Sequence, residues 1–417
     1  MTSTLETTPA LVSDRRLTVI SVVLLLGTIT TILDTTIVNV ALDHLHVVFH
    51  ASVASTQWIS SGYLLALAGV IPLSGWATER FGAKAVWTTA VGAFLLGSVL
   101  CGLSWNLPSL IGFRVLQGIG GGLVLPLTVT ILTQTAGPAR LGRAIGTIAI
   151  PGQLAPILGP VIGGALVSSV SWRWLFFVNV PLCLAALILA PRLLPAGEPK
   201  RGHPFDAIGF VLLTPGLVAL AWGISAAGRD GGFSAVGSWL PTIAGAVLVA
   251  AFAVWSLRSK GIPLLDVRPF ARRSFGLSSV ITFVGGFSSY AVMFLLPLFY
   301  QQLRGDSTLQ TGLLLIPQGL GTVTFMLLNR TIAGRVPTKW IVATGSLLIM
   351  LGAVPFAVVG ASGHDVLLLA SQYVIGFGSG AILMTIMTLA FSGLGRSEIP
   401  GPARRSASCS GSERRSE

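Results

Sequence analysis

Between Leu17 and Phe391 the sequence repeats one pattern: a run of roughly 20 apolar residues, then a short polar connection. The runs fall at Leu17–Leu42, Gln57–Ala77, Ala85–Ser104, Pro108–Gln134, Ala144–Ser168, Trp174–Leu194, Ala207–Ala226, Ser238–Leu257, Phe275–Tyr300, Leu309–Leu328, Trp340–Val359 and Val366–Phe391. A helix of that length satisfies its own backbone and matches the hydrocarbon thickness of a bilayer. The chain is therefore read as an all-α polytopic membrane protein with about 12 spans. Composition agrees, because 53% of the 417 residues are hydrophobic and 10% charged, too little charge to cover a soluble surface. The 50 glycines and 23 prolines are tolerable where neighbouring helices re-satisfy the backbone. The first apolar run is longer than a signal-peptide core and ends without a small-residue cleavage site, so it reads as a permanent span.

A formal net charge of +12 raises the question of nucleic acid, and the placement of the charges answers it. Of the 26 Lys and Arg, only Arg173, Arg229 and Arg304 lie in odd-numbered connections, and Arg114 lies inside a span. The rest sit in the even-numbered connections and the termini, which places both termini in the cytoplasm of a multi-pass cell-membrane protein. No nucleic-acid partner is needed. Cys101 and Cys183 fall in apolar runs and Cys409 in the polar C-terminal stretch, without spacing for a disulfide or a metal.

Ionisable residues inside the hydrocarbon are costly and are functional candidates for that reason. Two are clearly inside: Asp34 and Arg114. Asp34 lies on a span whose Thr28, Thr31, Thr35 and Asn39 recur every three or four residues as a polar stripe, expected to face a water-filled cavity. The alternative is that Asp34 pairs permanently with a neighbour. Arg114 shares a helix face with Gln117, Gly118 and Gly121 and can accept a carboxylate or an anionic substrate, unless it snorkels to the surface. In the fifth span, Gly152, Gly159 and Gly163 line one face for close packing. Gly376-Phe-Gly378-Ser-Gly380 superficially fits a dinucleotide fingerprint but lies mid-span with no strand before it, so it reads as packing. His44, His46 and His50 crowd the first outer connection and read as a solvated, pH-responsive loop in preference to a metal site. The sequence holds no phosphate loop, no His-Glu-x-x-His and no plausible triad; neither an enzyme nor a cofactor nor a metal is expected.

Several stretches resemble known motifs. Gly75-Trp-Ala-Thr-Glu79-Arg80-Phe-Gly82-Ala-Lys84, fainter in Gly334-Arg335-Val-Pro-Thr-Lys339, is similar to the gating-loop motif of the major facilitator superfamily, with Glu79 and Ala83 where that family has an aspartate and a second basic residue. Leu33-Asp34-Thr-Thr-Ile37 through Leu42, Arg114 to Gly122, and Pro156 to Gly164 resemble the first-span, fourth-span and antiporter motifs of its fourteen-span drug:proton antiporter group (DHA2, EmrB/QacA-like). Ser171–Pro181 and Leu296–Gln302 are also typical of that group. The resemblance implies proton-coupled export of amphipathic drugs or metabolites. Asp34 and Arg114 would couple the proton, and Thr31, Thr35, Asn39 and Gln117 would line the substrate cavity. Gly152, Pro156, Gly159, Pro160, Gly163 and Gly164 would form the antiporter motif, and Gly75, Glu79, Arg80, Gly82 and Lys84 the gating loop. Expected partners are a small-molecule substrate, protons and the lipid bilayer, with the chain a monomer.

The implied organisation is a cytoplasmic segment 1–16, a six-helix bundle 17–200, an inserted two-helix pair 201–262, a second bundle 263–395 with four of six expected helices, and a polar tail 396–417. That tail is Ser/Arg-rich and aperiodic, as a truncated or frameshifted reading frame would be. Two other readings stay open: a nutrient symporter on the same fold, and an inactive truncated membrane product.

Overall fold

The computed structural model describes residues 13–196, 204–229, 232–259, 261, 263–271, 273–332, 335–358 and 365–394. The first twelve residues, Gly334 and the polar segment 396–417 lie outside them. Among the described residues every regular element is helical.

Helix α1 (Asp14–Val48) runs beyond its predicted span and takes in His44 and His46, so these two belong to a helix and not to a loop. It ends where His46 Nδ1–H donates to the Ala51 carbonyl and His50 adopts a φ of 48°. The second predicted span is broken rather than continuous. After a single turn, α2 (Val53–Thr56), helix α3 (Trp58–Val70) gives way to α4 (Leu73–Phe81) with a 56° bend. Pro72 lies at the break and brings no N–H to continue the ladder. The residues read as a gating loop thus lie largely on α4, and Gly82, at a φ of 83°, turns the chain into α5 (Ala83–Gly102). A capping box of Asn106 and Ser109 opens α6 (Leu107–Ala136). Helices α7 (Pro138–Ser169), α8 (Trp174–Phe177) and α9 (Asn179–Leu193) follow.

Beyond these lie α10 (Ala207–Arg229), α11 (Val236–Arg258) and α12 (Arg273–Leu298), which runs into a π-helical turn at Phe299–Leu303. Helices α13 (Thr308–Leu314), α14 (Ile316–Ile332), α15 (Thr338–Val358) and α16 (Asp365–Leu394) complete the described chain. Nine described spans are long and apolar enough to cross a membrane, or ten with the bent pair counted as one. At the fifth and ninth predicted spans the helices are present, but their apolar stretches, Leu158–Ser169 and Phe275–Ser288, are shorter.

In lipid, apolar area does little to bring helices together, so close approach at small residues carries the packing. Helix α6 is wedged between α3 and α5 in this way. A Cβ at Gly118 or Gly122 would strike the backbone of Tyr63 or Leu67 on α3, and one at Gly120 would strike Phe94 on α5. Helix α1 packs on α7 and α9. In the second half, α14, α15 and α16 form a group in which Gly376 and Gly380 approach α14 and Gly378 approaches α15, so this glycine run serves packing.

Helices α10 and α11 pack chiefly on each other, and α10 touches α3. Thr214 Oγ1 of α10 donates to the Gly69 carbonyl beside the α3–α4 break (2.9 Å). One carboxylate ties the pair together. Asp206 Oδ1 accepts from the Gly209 amide (2.9 Å) and from Trp255 Nε1 (3.1 Å), and its Oδ2 accepts from the Leu264 amide (3.0 Å). Asp206→Ala should therefore cost about 1–2 kcal/mol, lowering the thermal midpoint of the detergent-purified protein. An unchanged midpoint would show the clamp to be dispensable.

Candidate functional site

Two apolar clusters fill the first half of the molecule. One gathers Leu17, Ile20, Leu24, Trp87, Phe94, Leu127 and their neighbours; the other gathers Leu33, Ile37, Leu45, Ile59, Leu110 and Phe176. Between them lies a sealed polar centre. Asp34 is fully buried and Arg114 is 1% exposed, so the arginine does not snorkel. The two come from helices 80 residues apart in sequence, and Arg114 Nη1 donates to Asp34 Oδ2 at 2.5 Å.

A neutral shell completes the centre. Asp34 Oδ1 accepts from Gln117 Nε2 (3.0 Å) and from Asn179 Nδ2 (3.0 Å). Arg114 has partners besides the carboxylate: Nη1 also donates to Gln117 Oε1 (2.8 Å), Nε donates to the Ile59 carbonyl (3.1 Å), and Cζ lies 4.1 Å from the Tyr63 ring centroid. Asn179 Nδ2 also donates to Ser98 Oγ (3.1 Å), whose own hydroxyl donates to the Phe176 carbonyl (2.9 Å). Three donors converging on one carboxylate suit its ionised form.

Burying an ion pair costs several kcal/mol per ion before the attraction is counted, so this centre needs its full set of partners. Its geometry also leaves a way out. If Asp34 loses its charge, Arg114 keeps Gln117 Oε1, the Ile59 carbonyl and the Tyr63 face. The guanidinium therefore keeps polar partners when the carboxylate changes state, though its charge is then unpaired.

Asp34 and the polar stripe take different faces of α1. At 100° per residue Asp34 projects about 100° from the mean direction of Thr28, Thr31, Thr35 and Asn39, so it does not share their face. It also meets Arg114 instead of an aqueous cavity. Thr28 is drawn into a buried chain with Thr128 (3.2 Å) and Trp87 Nε1, which donates to Thr128 Oγ1 (3.0 Å). Thr31 is buried and donates to the Thr28 carbonyl, whereas Thr35 and Asn39 are half-exposed, Asn39 accepting from Ser60 Oγ (2.7 Å). Gln117 is a partner of the ion pair and not a wall of open space.

The antiporter stretch is the contact surface of α7. Gly152, Gly159, Pro160, Gly163 and Gly164 are buried; the side chain of Pro156 lies outside the described residues. A Cβ at Gly159 would overlap the Thr36 hydroxyl, and one at Gly163 would lie 3.1 Å from the Ile37 carbonyl, so α7 rides directly on α1. The same helix meets the second half. A Cβ at Gly312 on α13 would lie 2.8 Å from the Val161 nitrogen and 2.9 Å from the Pro160 carbonyl carbon. In the gating motif, Gly75, Glu79 and Arg80 are exposed on α4, while Lys84 Nζ donates to the Pro191 carbonyl of α9 (2.6 Å).

Sequence reasoning did not single out Asn179, Ser98, Tyr63 or Gly312 as functional. Asn179, a strongly polar residue inside an apolar run, carried the one usable signal.

The family model described as Major Facilitator Superfamily matches residues 24–401. Multidrug resistance protein B homolog of Mycobacterium tuberculosis (strain ATCC 25618 / H37Rv) is 37% identical over 355 residues, covering 85% of this chain and 66% of its own length. Its counterpart from strain CDC 1551 / Oshkosh is 39% identical over 324 residues, 78% of this chain and 60% of its own. The chain thus spans less than two thirds of these two relatives. Putative multidrug resistance protein MdtD of Serratia proteamaculans (strain 568) is 30% identical over 331 residues, 78% and 68% of the respective chains. Among solved structures, the xylose transporter XylE from E. coli, partially occluded and inward open, aligns with a TM-score of 0.60 at 17% identity, over 91% of this chain and 85% of its own. At that identity the likeness is one of fold.

Proposed function

The chain belongs to the Major Facilitator Superfamily, and on that premise we propose that it exports amphipathic drugs or metabolites in exchange for protons, with Asp34 as the proton carrier and Arg114 as its partner. The observation that carries the reading is the sealed Asp34–Arg114 pair at the level between the two apolar clusters. The multidrug-resistance names of its relatives support export, and the asymmetric Lys and Arg placement supports cytoplasmic termini. In that orientation the contact between α7 and Gly312 lies towards the outer side.

A proton entering from outside neutralises Asp34, and Arg114 falls back on Gln117, Ile59 and Tyr63. The loosened junction of α1 and α6 then lets the halves rearrange around the substrate. Substrate arriving from the cytoplasm favours loss of that proton inwards, and the exchange is driven by the proton gradient. Any net charge moved contributes about 2.3 kcal/mol per elementary charge per 100 mV of membrane potential.

Ethidium efflux from cells expressing the chain tests the proposal. Wild-type efflux should stop when a protonophore collapses the gradient, and Asp34→Asn should abolish it. Efflux indifferent to the protonophore, or full-rate efflux by Asp34→Asn, would overturn the reading. Arg114→Lys keeps the charge but not the forked donors, so it should slow efflux roughly tenfold or more. A wild-type rate in that variant would remove the guanidinium geometry from the mechanism.

A further inference from the structure

Two amides touch the carboxylate of Asp34, and only one of them is locked. Gln117 donates through Nε2 to Asp34 Oδ1, and its Oε1 accepts from Arg114 Nη1 (2.8 Å) and from the Cys101 thiol (3.6 Å). Turning that amide over would bring its Nε2 against the guanidinium, so its orientation is fixed. Asn179 is different. Its Nδ2 serves Asp34 Oδ1 and Ser98 Oγ, while its Oδ1 is buried without a hydrogen-bond partner among the described residues. Nothing bonded to the carbonyl end holds that amide in place.

Resting on the proposal that Asp34 carries the proton, we infer that Asn179 is a positioning residue that follows the protonation state of Asp34 by reversing its side-chain amide. With Asp34 ionised, Nδ2–H donates to Oδ1, as the structure has it. A proton added at Asp34 Oδ1 sets O–H against N–H. Reversal puts the amide oxygen there as acceptor at no change of volume, because the two ends of the amide are nearly equal in size. One end of the amide lacks a partner in either orientation, so the charge on Asp34 decides between them. The same reversal gives the Ser98 hydroxyl an acceptor in Asn179 and draws it from the Phe176 carbonyl. Phe176 lies near the end of α8, where the single residue Val178 joins α8 to α9 within one span. Protonation at α1 is thereby passed to the junction of α8 and α9 in a neighbouring span.

The surroundings leave Asn179 in this position. The titratable groups around Asp34 are Arg114 on α6, Tyr63 on α3 facing that arginine, Cys101 on α5 and Cys183 on α9. Helix α7 presents the Ala155 carbonyl and glycines to α1, and α8 presents the Phe176 ring to Arg114. Cys183 bonds Thr30 (3.8 Å), leaving Asn179 as the residue of α9 that touches the carboxylate.

The test compares wild type, Asn179→Leu and, as a second variant that removes a single hydroxyl, Ser98→Ala, each purified and scored for folding by monodisperse elution. Two readouts follow: the pH midpoint of ethidium transport in proteoliposomes, and the infrared C=O stretch of the protonated Asp34 carboxyl, identified by its loss in Asp34→Asn. Asn179→Leu removes a donor from the ionised form and an acceptor from the protonated form. The first loss raises the midpoint and the second lowers it, but the bond to the charged carboxylate is the stronger, so the net shift is to higher pH by about half a unit to one unit, a three- to tenfold change in proton affinity. The second moves the C=O band to higher frequency. Ser98→Ala, which loosens the same amide, should shift both in the same sense by less, and it carries the test if Asn179→Leu does not fold. Folded variants with an unmoved band and midpoint would overturn this inference alone. A wild type with no Asp34-dependent band and no pH dependence would instead overturn the proton-carrier reading beneath it.

Discussion

Asp34→Asn is expected to destabilise the folded chain by about 3–5 kcal/mol, and the double variant Asp34→Asn/Arg114→Gln is expected to be more stable than that single one. The single change leaves a permanent cation buried where two donors, Gln117 Nε2 and Asn179 Nδ2, also lose a charged acceptor. Arg114 retains Gln117 Oε1, the Ile59 carbonyl and the Tyr63 ring, which places the cost towards the lower end of the range. Removing the cation as well removes the uncompensated charge, and the polar shell can then rearrange around neutral groups. Thermal unfolding of both singles and the double in one detergent closes the cycle. A coupling near zero, with the two losses simply adding, would show that the pair is an accident of proximity. Stability and transport separate here, because the double variant should regain stability without regaining proton-driven efflux.

The second large effect belongs to a glycine. Gly312→Val should cut efflux at least tenfold while leaving the detergent-purified protein folded. A side chain at Gly312 would press on the Pro160–Val161 backbone at 2.8–2.9 Å, and a helix backbone cannot rotate out of the way as a side chain can. Overpacking of this kind costs about 1–3 kcal/mol, one to two decades in an equilibrium between closed and open arrangements. The cost falls on the contact between α7 and α13 and not inside either half, so the population of the closed arrangement drops before the fold does. Efflux rate and thermal midpoint, measured on the same preparations, separate the two effects. A wild-type rate would show that the halves need not close at this contact.

Helix positions were legible because a bilayer imposes a one-dimensional code: apolar length marks a span, and the helices lie where the apolar runs do. Breaks were less legible. Pro72 splits the second span by 56°, yet Pro126 sits inside α6, which continues as one helix, so proline alone does not mark a break. Asp34 and Arg114 stood out as ionisable residues in apolar surroundings, but their meeting depends on how helices 80 residues apart rotate and pack. Helical arithmetic alone would have set Asp34 off the threonine stripe. Most neutral members of the centre were hidden for a physical reason: Ser98 and Tyr63 are cheap enough in a span to carry little signal, and the partners of these two and of the more conspicuous Asn179 are fixed by tertiary contact. Gly312 is one of 50 glycines, and only the approach of α7 gives it meaning.

In the proposed exchange, substrate and proton compete through Asp34, and proton release on ligand binding reads that competition. Purified protein in weakly buffered detergent solution, with a pH-indicator dye, is mixed with tetraphenylphosphonium at a pH near the transport midpoint. Because about half of the Asp34 carboxyls hold a proton at that pH, wild type should release up to about half a proton per ligand bound and Asp34→Asn none. Ligand binding without proton release by wild type, or equal release by Asp34→Asn, would contradict it.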